Sequence, residues 1–161
     1  MSYITKSEFY MGTALLAAQR SKDPKTKVGC CIVDPDGVIL STGYNGFPTG
    51  IPDSEGNWTK EPDFFGNTKH DYVVHSEING ILNASGKSLK GATMYTTLFP
   101  CKECAKAIIQ AGIKHVVYLK DTGTDHFKTD FSKRLFNKTG VDWSQFIIDS
   151  TQKQIILDFE V

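Results

Sequence analysis

The sequence has no net charge: 18 lysine and arginine residues balance 18 aspartate and glutamate residues in a chain of 161. Proteins that bind a nucleic acid backbone usually carry an excess of basic residues, so this balance argues against an RNA- or DNA-binding enzyme. No apolar run approaches the roughly 20 residues that span a bilayer. We therefore expect no nucleic acid partner and no membrane segment.

Cysteine is scarce as well, with four residues in the chain. Cys30 and Cys31 are adjacent, and Cys101 and Cys104 have the spacing of metal ligands, so the pattern is not that of a secreted disulfide framework. The first six residues lack the apolar stretch of a signal peptide. We therefore expect a cytoplasmic protein. The sequence has neither repeats nor a linker, so we also expect one domain over residues 1–161.

Alternating strand and helix patterns predict the fold. The stretch Thr5-Lys6-Ser7-Glu8 has capping-box spacing and predicts a helix to about residue 20. The elements expected after it are a hairpin of strands 28–33 and 38–43, a helix over 75–85, a strand over 92–98, a helix over 101–112, a strand over 115–119 and a helix over 127–137. This order predicts an α/β fold, a three-layer α/β/α sandwich around a mixed sheet of about five strands. Residues 46–72, rich in glycine and proline, predict a long loop that is either functional or disordered.

His75, Cys101 and Cys104 offer the nitrogen and sulfur ligands that zinc prefers. Three protein ligands leave a tetrahedral zinc one open position for water, whereas a structural zinc usually has four. Glu77 follows the first ligand by two residues. In the H-x-E…P-C-x-x-C pattern of zinc nucleobase deaminases this carboxylate is the proton carrier. The pattern predicts one catalytic zinc per chain, with Glu77 as the catalytic acid and base.

A zinc-stabilised binding protein is the alternative for the same motif. In that case His70, His126 or Cys31 would complete a structural site as the fourth ligand. Glu77 argues against it, because a structural site has no use for a carboxylate beside the metal. We interpret Cys30 and Cys31 as core residues on opposite faces of a strand.

Candidate substrate-binding residues lie near the strand ends, where ligands of such folds usually bind. Asn45 follows the second strand, and its amide either turns the chain or contacts a sugar. Ser21 and Lys22 belong to a loop with several basic residues, which are either solvated or hold a phosphate. His126 follows the fourth strand, near the expected position of a substrate.

With these residues the chain resembles the deoxycytidylate (dCMP) deaminase family of the cytidine deaminase-like superfamily over nearly its whole length. The stretches that carry the resemblance are 20–24, 28–29, 43–48, 75–79, 94–101 and 104–114. The Gly-Tyr-Asn-Gly-x-Pro stretch separates this family from nucleoside and tRNA deaminases, which share only the zinc motifs. The alternatives among enzymes are deaminases of a free nucleoside, of dCTP or of a tRNA anticodon base.

The resemblance implies hydrolysis of dCMP to dUMP and ammonia, a reaction that feeds thymidylate synthesis. It also implies a homohexamer that dCTP with Mg²⁺ activates and dTTP inhibits. We expect the effector near Tyr44, Gly46 and Gly50, because glycines let backbone amides approach a triphosphate closely.

The chain departs from the family pattern at three places. Ser76 occupies a position where alanine is common. Some relatives have a substrate-stacking tyrosine beyond the fourth strand, where this chain has Thr122-Gly123, and His126 or Phe127 is its expected replacement. Some phage members hold a second zinc through extra cysteines and histidines, but residues 46–72 contain one histidine and no cysteine. We therefore expect a single zinc.

Overall fold

A five-stranded mixed sheet forms the middle layer of the computed structural model, which describes residues 3–54, 56, 58–121, 126–148 and 154–157 (residues 126–128 by their backbone alone). The strands are β1 (Gly29–Val33), β2 (Ile39–Tyr44), β3 (Thr93–Leu98), β4 (His115–Lys120) and β5 (Asp142–Gln145). Their order across the sheet is β2-β1-β3-β4-β5. β1 is antiparallel to β2 and β3, and the pairs β3–β4 and β4–β5 are parallel.

Helices cover both faces of this sheet. They are α1 (Lys6–Ala18), α2 (Lys69–Tyr72), α3 (Ser76–Asn83), α4 (Lys102–Gln110) and α5 (His126–Thr139). α1 packs on one face, and α3, α4 and α5 contribute to the apolar cluster on the other. The predicted three-layer α/β/α sandwich is confirmed. In the described part of the chain no helix is long and apolar enough to cross a membrane, and α5, the longest, has 14 residues.

The first helix and the first strand form as their sequences predict. At the start of α1 the Thr5 side chain accepts a hydrogen bond from the Glu8 amide, and the Glu8 carboxylate accepts one from the Thr5 amide at 2.7 Å. In β1, Cys30 belongs to the apolar cluster under α3 and α4, and Cys31 to the cluster under α1. Burial raises the pKa of both thiols, that of Cys31 to about 12. Both cysteines are therefore inert core residues, in agreement with their interpretation from sequence.

Two elements differ from the sequence-based expectation. The fifth strand lies at residues 142–145. It precedes the apolar runs at 146–148 and 155–157, which are the strongest apolar patterns in this part of the sequence. It is an edge strand with three exposed residues out of four, so its own apolar signal is weak. The long stretch 46–72, called here the insertion loop, ends in the short helix α2. A capping box between Thr68 and Asp71 starts this helix.

The sheet topology brings the ends of several strands to one edge. Parallel β3 and β4 end there, and their next residues are Phe99 and Asp121. Because β1 is antiparallel to both neighbours, the α1–β1 loop (residues 19–28) and the end of β2 at Asn45 meet at the same edge. The Gly29 amide also donates a hydrogen bond to the side-chain hydroxyl oxygen of Thr97, in β3, at 3.1 Å. This edge is where a ligand crevice is expected in such a fold.

Candidate active site

Two helices begin at this edge of the sheet with unusual N-cap residues. His75 is the N-cap of α3 and Cys101 that of α4, and neither side chain caps its helix. An N-cap is usually Ser, Thr, Asp or Asn, whose oxygen binds a helix amide. Here the two side chains turn toward each other instead, and Cys104 joins them from the first turn of α4. The positive ends of two helix dipoles meet at these residues, which favours thiolates.

The three side chains have the separations of a tetrahedral zinc site. His75 Nδ1 lies 3.5 Å from Cys101 Sγ and 3.4 Å from Cys104 Sγ. All three ligand atoms lie within 4.8 Å of one another. Zinc bonds of about 2.05 Å to nitrogen and 2.3 Å to sulfur, at a tetrahedral angle, require N···S separations of about 3.6 Å. The residues that the sequence predicted as ligands therefore fit this metal.

The two cysteines differ in acidity. A hydrogen bond from the Cys104 thiol, with help from His75 and against the effect of burial, lowers the pKa of Cys101 to about 3. The same hydrogen bond, burial and the negative charge of Glu77 raise the pKa of Cys104. One thiolate therefore forms readily in the protein alone, and a cation among these donors favours the thiolate of both residues.

Glu77 lies beside this cluster and is 4% exposed. Burial raises the pKa of its carboxyl, while the charge of His75 and a hydrogen bond from Ser76 offset part of the effect. The Ser76 hydroxyl donates to Glu77 Oε2 at 2.9 Å, and Ser76 is completely buried. A carboxyl whose pKa is raised from its ordinary value is suited to hold and release a proton near neutral pH.

The start of α3 is fixed by unusually close packing on β2. A Cβ atom added at Gly43 would lie 2.2 Å from the Ser76 carbonyl oxygen and 2.3 Å from the Gly80 nitrogen, so only glycine permits this approach. The Asn79 side chain donates to the Tyr44 carbonyl at 2.8 Å, and the Cys30 thiol donates to the Ser76 carbonyl at 3.1 Å. These contacts hold the turn that carries Glu77 against the sheet.

Of the three possible fourth zinc ligands, the two that the structure describes stand apart from the cluster. Cys31 is buried on the α1 face of the sheet, and His70 is an exposed residue of α2 rather than of an irregular loop. The side chain of His126, which begins α5, lies outside the described residues, as do Thr122 and Gly123, and nothing is described of the Phe127 side chain. Among the residues that the structure describes, the group that could hold a metal consists of His75, Cys101 and Cys104.

Three of the residues predicted to bind substrate lie at the same edge, and each has protein partners. Asn45 is buried, accepts from the Val28 amide at 2.9 Å and donates to the Thr26 carbonyl at 2.9 Å. Ser21 is buried and accepts from the Asp23 amide at 3.3 Å. Lys22 is exposed and forms an ion pair with Asp53 of the insertion loop. Asn45 thus clamps the α1–β1 loop to the end of β2.

A buried ion pair near these residues has no counterpart among the sequence predictions. Lys69 of α2 reaches Asp23 of the α1–β1 loop, with Nζ 2.7 Å from Oδ2. The nearest sequence signal is the turn at Asp23-Pro24, which follows the candidate phosphate contacts Ser21 and Lys22. A lysine near the end of a 27-residue irregular stretch carries no periodicity that would reveal its burial.

A small polar cavity of about 190 Å³ lies between α3 and the first residues after β2. Its lining residues are Tyr44, Gly46, Phe47, Thr49, Asn79 and Asn83. Two of the three residues predicted to contact an effector therefore line it, while Gly50 does not. Gly46 exchanges two backbone hydrogen bonds with Val74, the residue before His75, at 3.1 and 2.8 Å. A larger apolar groove of about 540 Å³ lies away from the zinc residues, between α1 and the described residues 146–157.

Comparison with solved structures finds the same fold in deaminases. The dCMP deaminase of cyanophage S-TIM5 in its apo form matches with a TM-score of 0.68 and 30% identity, covering 87% of this chain and 96% of that one. The same enzyme in complex with dCMP and dUMP matches with a TM-score of 0.69 and 31% identity, covering 86% and 95%.

Sequence comparison finds relatives along almost the whole chain. The human deoxycytidylate deaminase is 42% identical over 158 residues, which cover 98% of this chain and 88% of that protein. A probable deoxycytidylate deaminase of Drosophila melanogaster is 45% identical over 165 residues, covering 98% and 79%. The family model for the cytidine and deoxycytidylate deaminase zinc-binding region matches residues 4–120, which include the three predicted zinc ligands and Glu77. On this similarity and on the geometry of its zinc residues, the chain belongs to the cytidine and deoxycytidylate deaminase family.

Proposed function

We propose that this enzyme hydrolyses dCMP to dUMP and ammonia with one zinc per chain. The observation that carries the proposal is the buried carboxyl of Glu77 beside a three-ligand site at a sheet edge. The names of relatives similar over 98% of the chain, and a related structure that holds dCMP and dUMP, favour this substrate over other cytosine compounds.

The residues divide the reaction between them. His75, Cys101 and Cys104 would hold the zinc, which when bound activates water as a nucleophile at neutral pH. Glu77 accepts the proton of the water that attacks C4 of cytosine and delivers it to N3. The carboxylate then takes the remaining proton of the hydroxyl formed on C4 and passes it to the amino group, which leaves as ammonia while C4 becomes a carbonyl. Ser76 holds one carboxylate oxygen of Glu77 during these transfers.

The sugar and phosphate of the nucleotide are assigned to the loops at the same edge. Asn45, at the end of β2, is the proposed contact for the deoxyribose. Ser21 and Lys22 are the proposed phosphate contacts, and Lys22 is held by an exposed ion pair with Asp53, which a phosphate dianion can replace because exposed pairs are weak. His126 is the proposed contact from the segment after β4.

An assay of ammonia release tests the proposal. Purified protein with stoichiometric zinc is incubated with dCMP, CMP, deoxycytidine and dCTP, and kcat/KM is measured for each compound. We expect dCMP to be preferred by at least about 100-fold over deoxycytidine, because a bound phosphate contributes several charge-assisted hydrogen bonds. Equal turnover of deoxycytidine, or a preference for dCTP, would contradict the assignment of dCMP as substrate.

We further propose that dCTP with Mg²⁺ activates the enzyme and that dTTP inhibits it, through the cavity beside Tyr44 and Gly46. Asn79 and Asn83 of α3 line the cavity, and α3 begins at the zinc ligand His75. A ligand that moves α3 therefore moves Glu77 as well. Coupling of this kind usually changes affinity by about 5–150-fold. A dCMP saturation curve that neither dCTP nor dTTP shifts would contradict the regulation and leave the deaminase assignment intact.

Assembly into a homohexamer is proposed on the family resemblance, and the apolar surface of α1 supports association between chains. Phe9, Leu15 and Leu16 are 50%, 42% and 53% exposed in the single chain. Apolar surface of this kind commonly marks an interface. Light scattering should give a mass near six times 17.8 kDa. A monomer at assay concentration would contradict the assembly.

A further inference from the structure

A lysine and an aspartate are buried together between two irregular segments of the chain. The Lys69 and Asp23 side chains are 6% and 2% exposed, and Nζ lies 2.7 Å from Oδ2. Such a pair is weak evidence for stability, because replacing both charges with apolar groups is often neutral or stabilising. Removing one partner, in contrast, leaves a buried charge without compensation. We therefore interpret the pair as a contact that fixes the α1–β1 loop relative to α2.

Asp23 organises the α1–β1 loop around its carboxylate. Oδ1 accepts from the amides of Lys25 at 2.8 Å and Thr26 at 3.0 Å, while Oδ2 accepts from Lys69. The Asp23 amide donates to Ser21 Oγ at 3.3 Å. Burial acts to raise the pKa of Asp23, but the hydrogen bonds from Lys69 and the two amides outweigh it and lower the pKa. The loop is thus built on an ionised carboxylate whose second oxygen is bound by Lys69.

This loop lies at the sheet edge where the helices with the N-cap residues His75 and Cys101 begin. It leads into β1 at the sheet edge where β3 ends, and the Asn45 side chain bridges Thr26 and Val28. Lys69 reaches it from the insertion loop, which returns to the site through the pairing of Gly46 with Val74. The ion pair therefore joins the two irregular segments that flank the crevice, and the apolar core takes no part in that connection.

We propose that Lys69 is a positioning residue for binding of the nucleotide 5′-phosphate. Through Asp23 it holds Ser21 and Lys22 in the arrangement from which they bind the phosphate, and it does not bind the phosphate itself. The inference rests on the proposed function, because it assumes a nucleoside monophosphate at this site. Its effect belongs to binding of the monophosphate and leaves the chemistry at the zinc end intact.

Binding of dUMP and of deoxyuridine to the zinc-loaded protein separates the phosphate from the rest of the ligand. The variants are Lys69→Met, Asp23→Asn, the double variant and the control Lys106→Met, which removes an exposed ion pair with Glu103 on α4. We expect Lys69→Met and Asp23→Asn each to weaken the binding of dUMP at least about tenfold, because charge-assisted contacts with the phosphate are lost. The binding of deoxyuridine should weaken less than about threefold. The double variant should bind dUMP no more weakly than the single variant with the lower affinity. The control should bind dUMP within about twofold of wild type.

The Asp23→Asn variant distinguishes positioning from direct contact. If Lys69 bound the phosphate itself, removing its carboxylate partner would leave dUMP affinity unchanged or raise it. That result overturns the proposal, as do dUMP affinities within about twofold of wild type in both single variants. Equal losses for dUMP and deoxyuridine, or zinc well below one per chain, would show a merely structural role and also overturn it.

The kinetic arm keeps this inference separate from the proposed function. In Lys69→Met we expect KM for dCMP to rise by about the factor by which dUMP affinity falls, while kcat stays within about threefold. Binding shared by the substrate and the transition state is lost, and Glu77 is untouched. A wild-type protein that binds dUMP more tightly than deoxyuridine but does not deaminate dCMP contradicts the function and leaves the binding comparison valid. A wild type that does not distinguish the two ligands overturns the inference itself.

Discussion

The two ends of the site are built by different means. At the metal end, the predicted zinc ligands and Glu77 lie at the N-caps and in the first turns of two regular helices that pack on the sheet. At the loop end, the α1–β1 loop and the insertion loop contain no strand in their described residues, and ion pairs connect them. The metal end is therefore placed by packing of regular elements, and the loop end by polar contacts between irregular ones.

This difference determines what each end tolerates. Close-packed elements transmit a change of a single methyl group, since protein interiors have few voids. Polar contacts between loops depend on charge and hydrogen-bond geometry and tolerate changes of volume. Variants at the metal end should accordingly alter chemistry or folding, and variants at the loop end should alter substrate binding.

The largest effect is expected from removal of a ligand at the metal end. Cys104→Ser should lose most of its zinc and essentially all turnover, because a hydroxyl is a poor zinc ligand beside a thiolate. Metal analysis by mass spectrometry after dialysis measures the loss. Cys31→Ser is the matched control, a buried cysteine on the other face of the sheet, and should retain about one zinc per chain. Loss of zinc in Cys31→Ser, or nearly two zinc ions per wild-type chain, would contradict the three-ligand site.

Glu77→Gln should keep zinc and fold but lower kcat by at least about 100-fold, because an amide cannot carry the proton. The side chains have the same shape, so loss of turnover reports the proton transfer alone. Zinc content and the unfolding midpoint, both measured on the same preparation, are the controls. Activity within about tenfold of wild type in a fully zinc-loaded variant would contradict the role of Glu77.

Two glycines three residues apart test the contrast between packing and loop directly. Gly43→Ala places a methyl group against the backbone of α3 and should destabilise the protein by about 2–3 kcal/mol, since backbone must shift. Gly46→Ala meets no atom within 4 Å and should change stability by less than about 0.5 kcal/mol. Chemical denaturation of both variants gives the comparison. Equal stability of the two would mean that α3 is not held to β2 as tightly as the structure indicates.

The sequence predicted the metal end more fully than the loop end. A helix start is visible in local sequence, and ligands at N-caps keep a fixed spacing, so His75, Glu77, Cys101 and Cys104 could be grouped before the structure was known. The family and the three-layer fold are confirmed for the same reason, because alternating regular elements leave a periodic signal. The assigned chemical roles of the four residues stay predictions until the variants are measured.

The loop end could not be predicted in the same way. The partners Asp23 and Lys69 are 46 residues apart, and nothing in either local sequence indicates that they meet. Lys22 was expected to face a phosphate and is paired with Asp53, a contact between exposed side chains that periodicity does not encode. β5 was missed because an exposed edge strand has little apolar pattern. Long-range polar pairing is thus the part of this site that required the structure.

The smallest effect is expected at Ser76, which lies between His75 and Glu77. Its hydroxyl donates to Glu77 Oε2 at 2.9 Å and restricts rotation of the carboxylate. Ser76→Ala should lower kcat by roughly 3–10-fold, the value of about one net hydrogen bond, and leave KM for dCMP within about twofold. Stopped-time assays of ammonia release at saturating and low dCMP separate the two constants.

Ser132→Ala is the matched control, because it removes a hydroxyl from another fully buried serine, on α5. If both variants lose stability but neither loses kcat, the Ser76 hydroxyl contributes to folding alone. In that case the backbone of α3, fixed by the close approach of Gly43 and Gly80, orients Glu77 without help from a side chain. A loss of kcat confined to Ser76→Ala would instead mean that even at the closely packed metal end one polar contact refines the position of the proton carrier.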